Sequence, residues 1–183
     1  MKKQSLLFRS VRALTLAAML VAMSVVIGIF CKTMLNFANG LARITFENLP
    51  IILSGLLFGP IVGGAVGAAS DLMSYLLSPQ VLPPNLTVTL GAAAVGIISG
   101  ATSRFIVKRR GTFQIILSGS LSHIIGSMII KSIGLFQYYG FGVLLRIPIY
   151  FIISALEILV LCLLFKNSAF TSLVNSIGGD NQK

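Results

Sequence analysis

Cationic and phenolic side chains interrupt apolar sequence near the ends of two predicted helices. Lys131 and Arg146 each lie within an apolar segment, and Tyr138 and Tyr139 lie between them. Lysine and arginine bind carboxylates through charge-assisted hydrogen bonds, and phenol rings offer faces on which a flat ring can stack. The pattern therefore predicts a binding site for an anionic ligand with a flat ring. Further groups expected at this site are Arg43, Asn85, Thr87 and Thr89.

An acid, Asp71, ends a glycine-rich apolar run, inside what should be hydrocarbon. Ionisable residues in membrane segments are costly, so they either pair with one another or mark a functional site. We therefore expect Asp71 either to neutralise Lys131 or Arg146, or to contact the ligand, and we include it among the substrate-binding candidates. Glu157 lies about three turns below Arg146 and is too deep for that site. A lone histidine such as His123 is more often a packing residue than a ligand.

The residue types that enzymes and metal centres use are scarce in this chain. Its one histidine and two cysteines form no cluster with metal-ligand spacing. Gly119-Ser120 with His123 is a weak match to a serine hydrolase, because both groups lie on one helix without separate oxyanion donors. No phosphate-cradling loop of the Walker type is found, and no basic patch is interleaved with aromatic residues. The sequence therefore predicts a protein that is not an enzyme, needs no cofactor or metal and binds no nucleic acid.

The composition is typical of a protein that crosses the membrane several times. Of 183 residues, 56% are hydrophobic and only 10% are charged, which is far too apolar for a soluble domain. A spanning helix needs about 20 mostly apolar residues, so the chain has room for about six. We predict an all-α integral membrane protein that forms a compact bundle of about six transmembrane helices. Their approximate ranges are 11–30, 49–58, 61–77, 87–107, 112–135 and 143–165.

The net charge of +10 is distributed unevenly along the chain. With the N- and C-termini both cytoplasmic, the inner flanks hold ten lysine or arginine residues and the outer flanks hold four, in agreement with the positive-inside rule. In this orientation Lys131 and Arg146 each lie about one helical turn from the outer end of their helix. We expect residues 1–166 to form a single transmembrane domain and residues 167–183 to form a polar cytoplasmic tail.

Small residues recur at helical spacing in two segments. Gly55, Gly59, Gly63 and Gly67 are four residues apart around a Gly-Pro corner, which predicts two short helices packed tightly at a turn. The first predicted helix is rich in alanine, and small residues four apart allow a second helix to approach closely. That approach is either packing within the bundle or docking on a partner. The alanines concerned are Ala13, Ala17, Ala18 and Ala22.

The run from Ile44 to Asp71, which contains Leu-Pro, Gly-Leu-Leu-Phe-Gly-Pro and a final Asp, resembles a signature of a transporter family. The family is that of the substrate-binding S components of energy-coupling-factor (ECF) vitamin transporters. The resemblance extends over residues 12–165, and segments 129–135 and 145–148 are most similar to the folate branch. It implies a multi-pass protein of the bacterial cell membrane that captures a vitamin at the outer surface. It also implies docking, through the alanines of the first helix, on a transmembrane coupling subunit driven by two ATP-binding subunits.

Folate fits the predicted site because it joins a flat pterin to a glutamate tail with two carboxylates. Folate members of the family often carry Phe-Pro-Gly-Phe-Thr before the fourth helix, whereas this chain has Leu-Pro-Pro-Asn-Leu-Thr at 82–87. Pantothenate, another anionic vitamin, is therefore an alternative substrate. A stand-alone membrane transporter of small solutes is the alternative from a different functional class.

Overall fold

The computed structural model describes residues 11–37, 42–78, 85–106, 111–168 and 170–172. Over these ranges the chain is predominantly helical, with one short antiparallel ladder in which Asn36 pairs with Arg43. The fourth α-helix continues into a π-helical segment at Thr102–Ile106. A second π-helical segment, His123–Ile130, joins the fifth and sixth α-helices, and a 3-10 helix covers Gly140–Leu145. The α-helices and strands are α1 (Val11–Met34), β1 (Asn36–Phe37), β2 (Ala42–Arg43), α2 (Asn48–Phe58), α3 (Pro60–Leu77), α4 (Leu86–Ala101), α5 (Thr112–Ser122), α6 (Lys131–Tyr139) and α7 (Arg146–Lys166).

Five helical segments in the described part of the chain are long and apolar enough to cross a membrane. Helix α2 has only 11 residues, so its length of about 16 Å is too short to cross a hydrocarbon core of about 30 Å. The prediction of an all-helical membrane protein is confirmed, and the predicted helix ranges match the observed ones closely, but α2 is not one of the five long segments. Those five are Ala13–Met34, Pro60–Leu77, Leu86–Ile106, Thr112–Leu144 and Arg146–Lys166.

Two connections differ from the predicted loops. The region predicted as a loop from residue 31 to residue 47 remains helical to Met34 and then forms β1 and β2. The segment predicted as a linker at 136–140 is helical to Tyr139, and α6 ends where Gly140 adopts a φ of 53°. Phe136 and Phe141 pack edge to face across this turn with their ring centroids 5.6 Å apart. Tyr139 and its neighbour Tyr138 therefore lie on the last turn of a helix and not in a loop.

Close backbone contacts between glycines bring α3 and α4 together. A Cβ atom on Gly63 would lie 2.5 Å from the carbonyl oxygen of Gly96, and a Cβ atom on Gly96 would clash with the carbonyl of Gly63. Gly67 lies equally close to the carbonyl of Ala92. The predicted corner between α2 and α3 is present at Gly59, whose φ of 94° is a conformation that favours glycine. Most of the regularly spaced glycines, however, lie at contacts with α4, and these contacts were not predicted from the sequence.

The four alanines of α1 that were predicted to contact a coupling subunit divide between two faces of the helix. Ala13 and Ala17 are buried against α2 and α3, whereas Ala18 and Ala22 are exposed. This division follows from helix geometry, because residues four apart share a face and adjacent residues do not. The docking role of the four alanines stays a prediction, and of the four only Ala18 and Ala22 are exposed on the surface of this chain. The apolar residues that bury Ala13 and Ala17 are Phe58, Val62 and Val66.

The first residues of the predicted tail return to the bundle. Phe170 packs edge to face on Phe165 with ring centroids 5.3 Å apart, and it also contacts the core cluster that contains Ile52 and Leu161. The Oγ1 hydroxyl of Thr171 donates a hydrogen bond to the carbonyl of Phe165 at 3.0 Å. Residues from 173 onward lie outside the described part of the chain, so the cytoplasmic tail at 167–183 stays a prediction.

Candidate ligand-binding site

Most of the predicted site residues lie at the end of the bundle that carries β1 and β2, which we call the ladder end. Asn85 caps the start of α4, because its Oδ1 atom accepts a hydrogen bond from the backbone N–H of Thr87 at 2.9 Å. Its Nδ2 atom donates to the carbonyl of Gly134 in α6 at 2.6 Å. A Cβ atom on Gly134 would lie 3.0 Å from the Cβ of Thr87. Asn85 and Thr87 therefore hold α4 against α6 at this end.

Lys131 begins α6 and is buried with only 4% of its surface exposed. Its Nζ atom lies 3.3 Å from Oε1 of Glu47 and donates to Oδ1 of Asn48 at 3.0 Å. The stem of the lysine passes against Gly91 of α4, where a Cβ atom would lie 2.6 Å from its Cγ. The carboxylate beside Lys131 is thus Glu47, and the expected pairing with Asp71 is not what the structure shows.

Asp71, in α3, accepts a hydrogen bond at its Oδ2 atom from the hydroxyl of Thr89 at 2.7 Å. Thr89 lies in α4, so the bond joins two helices that the glycine contacts already hold close together. Both side chains are half-buried. Two of the predicted site residues therefore contact each other directly, while Asp71 keeps a second carboxylate oxygen that can accept further hydrogen bonds.

Arg146 begins α7 and is buried, and its guanidinium lies over the ring of Tyr139 at 5.0 Å from the ring centroid. This cation–π contact joins the end of α6 to the start of α7. Tyr138, the neighbouring residue in α6, is half-buried. Strand β2 carries Arg43 and packs against α7, which brings the backbone of Arg43 towards the same end. The side chain of Arg43 lies outside the described part of the chain.

A narrow cavity opens between the first four helices near the ladder end, with an accessible volume of about 10 Å³. A space of this size holds about one water molecule and is far smaller than the clefts of about 300–1,000 Å³ that hold drug-sized ligands. The hydroxyl of Ser70 is buried at the cavity wall and has no hydrogen-bond partner among the described residues. Gly28 of α1 leaves room for Glu47, because a Cβ atom there would lie 3.0 Å from Oε2 of that residue. The residues that line the cavity are Ser24, Glu47, Ile51, Ser70, Asp71, Ser74 and Ala92.

The whole helical region is similar to one family of membrane proteins. A family model described as the substrate-specific component of the ECF transporter matches residues 12–178. The chain belongs to this family. The family is a substrate-binding component of a transporter and not an enzyme, in agreement with the sequence-based prediction.

Individual relatives and a solved structure are also similar to this S component. The folate transporter FolT of Clostridium novyi (strain NT) is 33% identical over 66 residues, which are 34% of this chain and 38% of that protein. The uncharacterized protein MG098 homolog of Mycoplasma pneumoniae is 32% identical over 105 residues, which are 52% of this chain and 21% of that protein. The matches thus span well under half the length of either relative. A crystal structure of FolT bound with folic acid has the same fold, with a TM-score of 0.66 and 23% identity over 82% of this chain and 90% of that chain.

Two further polar contacts in this S component were not predicted from the sequence. The Nζ atom of Lys32 donates to the hydroxyl of Ser74 at 2.6 Å, which ties the end of α1 to α3. Deeper in the bundle, Nε2 of His123 lies 2.6 Å from Oε2 of Glu157, and both side chains are buried. The expectation that both residues have a structural role agrees with this pairing. The sequence contains an imidazole and a carboxylate that can pair, but no local sequence pattern indicated that His123 and Glu157 are in contact.

Proposed function

We propose that this S component binds folate at an outward-facing ladder end and delivers it to a coupling module for uptake. The observation that carries the proposal is the position of Arg146, a buried guanidinium stacked on Tyr139 at the end of the bundle. A stacked guanidinium still donates in its own plane, which suits a bidentate hydrogen bond with a carboxylate. The glutamate tail of folate offers two such carboxylates.

Lys131 supplies the second positive charge of the proposed site. Its present partners are Glu47 and Asn48, and a carboxylate of the ligand would have to replace Glu47 as the charged partner. Such an exchange keeps the lysine paired at each stage, so it avoids the large cost of an unpaired buried charge. Asn85, Thr87 and Thr89 border the same region and hold α4 in place beside it. Arg43 completes the proposed substrate-binding set with Tyr138 and Asp71.

The comparisons support folate over other vitamins. One relative is named a folate transporter, and the solved structure with the same fold is of FolT bound with folic acid. Pantothenate remains the alternative within the family, since it is also an anion. A stand-alone transporter of small solutes is the alternative outside it, and uptake by the single chain in liposomes without ATP would support that reading.

The transport cycle that we propose requires partners. Ala18 and Ala22 are exposed on α1, and their small side chains would allow a transmembrane coupling subunit to approach closely. Two ATP-binding subunits would hydrolyse the ATP, because the chain itself has no Walker-type loop. The protein would lie in the plasma membrane of a bacterium as a bundle of about six helices with both termini cytoplasmic.

The experiment is calorimetric titration of folate into the detergent-purified chain, with pantothenate and thiamine as controls. We expect tight one-to-one binding of folate, and Arg146→Gln should weaken it about 10- to 100-fold, the value of a hydrogen bond to a charged group. The matched control is Arg104→Gln, which removes a guanidinium that binds the carbonyl of Phe58 at 2.8 Å. It should change the affinity by less than about threefold because the residue lies far from the ladder end. Binding of another vitamin in place of folate would refute folate as the substrate but would leave the assignment to the S-component family unchanged.

A further inference from the structure

An acid and a base form a fully buried pair outside the candidate ligand-binding site. His123 begins the π-helical segment His123–Ile130, and Glu157 lies in the middle of α7. Both side chains are 0% exposed, and Nε2 of His123 lies 2.6 Å from Oε2 of Glu157. A nitrogen and an oxygen this close must have a hydrogen atom between them. The two groups therefore share a hydrogen atom that belongs to the imidazole or to the carboxyl group.

The charge of the pair depends on how many protons it holds. If the imidazole carries a hydrogen on one nitrogen only and the carboxyl group carries none, the pair has one negative charge. One added proton, on either group, makes the pair neutral as a whole. A net charge inside a membrane protein is costly unless an opposite charge lies beside it. The form with one added proton is therefore favoured wherever no free cation is near.

The helices packed around the pair do not supply a free cation. Helices α2, α4 and α5 contain no ionisable residue. The other charged groups that act on Glu157 are Lys131 and Glu47. These two lie 3.3 Å apart and have opposite charges, so their effects at a greater distance largely cancel. The neighbouring helices thus leave the charge of the pair uncompensated.

Helix α7 itself also lacks a cation close to Glu157. Within two turns of Glu157 its ionisable residues are Tyr150 and Cys162, a phenol and a thiol. Its two cations, Arg146 and Lys166, stand at its opposite ends, each more than about 13 Å along the helix from Glu157. Neither end can therefore neutralise the acid at its centre. The ionisable residues farther along the adjoining segments are Arg43, Arg104, Tyr138 and Tyr139.

The hydrogen-bonding groups around the pair lead to the same conclusion. A buried carboxylate is held in its ionised form when it accepts two or three hydrogen bonds. Apart from His123, Glu157 has no hydrogen-bond partner among the described residues. The hydroxyl of Ser127, four residues after His123, is buried and likewise makes no hydrogen bond within the described part of the chain. The site therefore does not provide the donors that an ionised, unneutralised carboxylate would need.

We propose that His123 and Glu157 form a binding site for one proton in the membrane interior, and that this proton holds α7 against the His123–Ile130 segment. The folded pair keeps the proton at a pH at which the separated side chains would have released it to solvent. The proton leaves when the packing of α7 opens and returns when the packing closes. The external pH therefore controls how firmly α7 is attached. The ligand of this site is the hydrogen ion, so the inference does not depend on the proposed function.

The direction of the pH dependence follows from the protons that the folded and unfolded chains hold. Exposed glutamate and histidine side chains have ordinary pKa values of about 4.3 and 6.5, so above about pH 7 both have lost their protons in the unfolded chain. The folded pair keeps one, and unfolding releases it. Release of one proton raises the unfolding equilibrium constant about tenfold for each unit of rising pH. Stability should therefore fall as the pH rises above about 7.

The test compares the Tm of the wild-type chain with that of Glu157→Gln, by circular dichroism in detergent between about pH 7 and pH 8.5. Glutamine keeps the size of the side chain, is neutral and can donate to Nε2 of His123, so it imitates the acid with its proton bound. Unfolding of this variant releases no proton from the pair. Its Tm should therefore gain on that of the wild type by about 3–5 °C per pH unit.

Asp71→Asn is the matched control, since it replaces a half-buried acid by its amide in the same way. The carboxylate of Asp71 accepts from Thr89 and needs no bound proton, so the Tm difference between this variant and wild type should stay constant within about 2 °C over the same pH range. A constant difference for Glu157→Gln would overturn the proton site, because folding would then take up no proton at the pair. A pH-dependent difference of equal size in Asp71→Asn would also overturn it.

A direct measurement is possible because His123 is the single histidine of the chain. Protein labelled with nitrogen-15 in histidine, and purified without a polyhistidine tag, gives one set of imidazole signals by nuclear magnetic resonance. These signals should stay unchanged between about pH 7 and pH 8.5, because the folded pair keeps its proton. Signals that move with pH in this range would show that the folded pair releases the proton, and would contradict the inference even if Glu157→Gln does not yield folded protein.

Discussion

The packing of α3 against α4 leads to the most direct test of the fold. Gly96→Ala adds one methyl group at a position where it would clash with the backbone carbonyl of Gly63. A backbone group cannot rotate out of the way as a side chain can, so the two helices must separate. Overpacking of this kind costs about 1–3 kcal/mol, and we expect the upper end because the obstacle is main chain. For a chain of this size, about 3 kcal/mol lowers Tm by roughly 6–12 °C.

Thermal unfolding in detergent can be followed with a thiol-reactive dye. The chain contains no tryptophan, but Cys31 is buried at 2% exposure and becomes reactive on unfolding. The control is Gly111→Ala, the same substitution at a glycine whose added Cβ would meet nothing within 4 Å. Its Tm should stay within about 2 °C of wild type. If Gly96→Ala were as stable as this control, the proposed backbone contact between α3 and α4 would be wrong.

Two further substitutions test separate parts of the structure. Ala18→Trp should keep Tm and folate binding but stop uptake in cells that express the coupling module, because the added ring blocks an exposed face of α1. Ala13→Trp should instead lower Tm, because Ala13 is buried. Uptake at the wild-type rate by Ala18→Trp would exclude a role for this face of α1 in docking. His123→Leu should destabilise the chain by about 3–5 kcal/mol in the same thermal assay, since it leaves Glu157 buried without its partner. The double variant with Glu157→Leu should recover most of that loss, and failure to recover would show that the pair contributes more than mutual neutralisation.

Helix positions could be predicted from the sequence because apolar runs and their breaks are local signals. The corner at Gly59 and the end of α3 at Leu77 were both visible as interruptions in apolar sequence. The strands β1 and β2 were not predicted, because each has two residues and no alternating pattern can be read from so few. The continuation of α6 to Tyr139 was missed for a related reason, since the aromatic residues there are compatible with either a helix or a loop.

Pairings across the bundle could not be predicted in the same way. Lys131 and Glu47 are 84 residues apart, and Asp71 was an equally plausible partner by charge alone. The exposed and buried alanines of α1 also could not be separated, because this helix is apolar on every side and carries no polar stripe to mark its outer face. Residue types therefore predicted which chemistry is present, while tertiary packing decided which groups meet.

The contact between Lys131 and Glu47 links the candidate site to the proposed docking helix. Glu47 immediately precedes α2, and its backbone carbonyl accepts a hydrogen bond from the hydroxyl of Ser24 in α1 at 2.7 Å. Ser24 lies on the buried side of the helix whose exposed side carries Ala22. The segment that supplies the carboxylate beside Lys131 is therefore also the segment that fixes the buried face of α1.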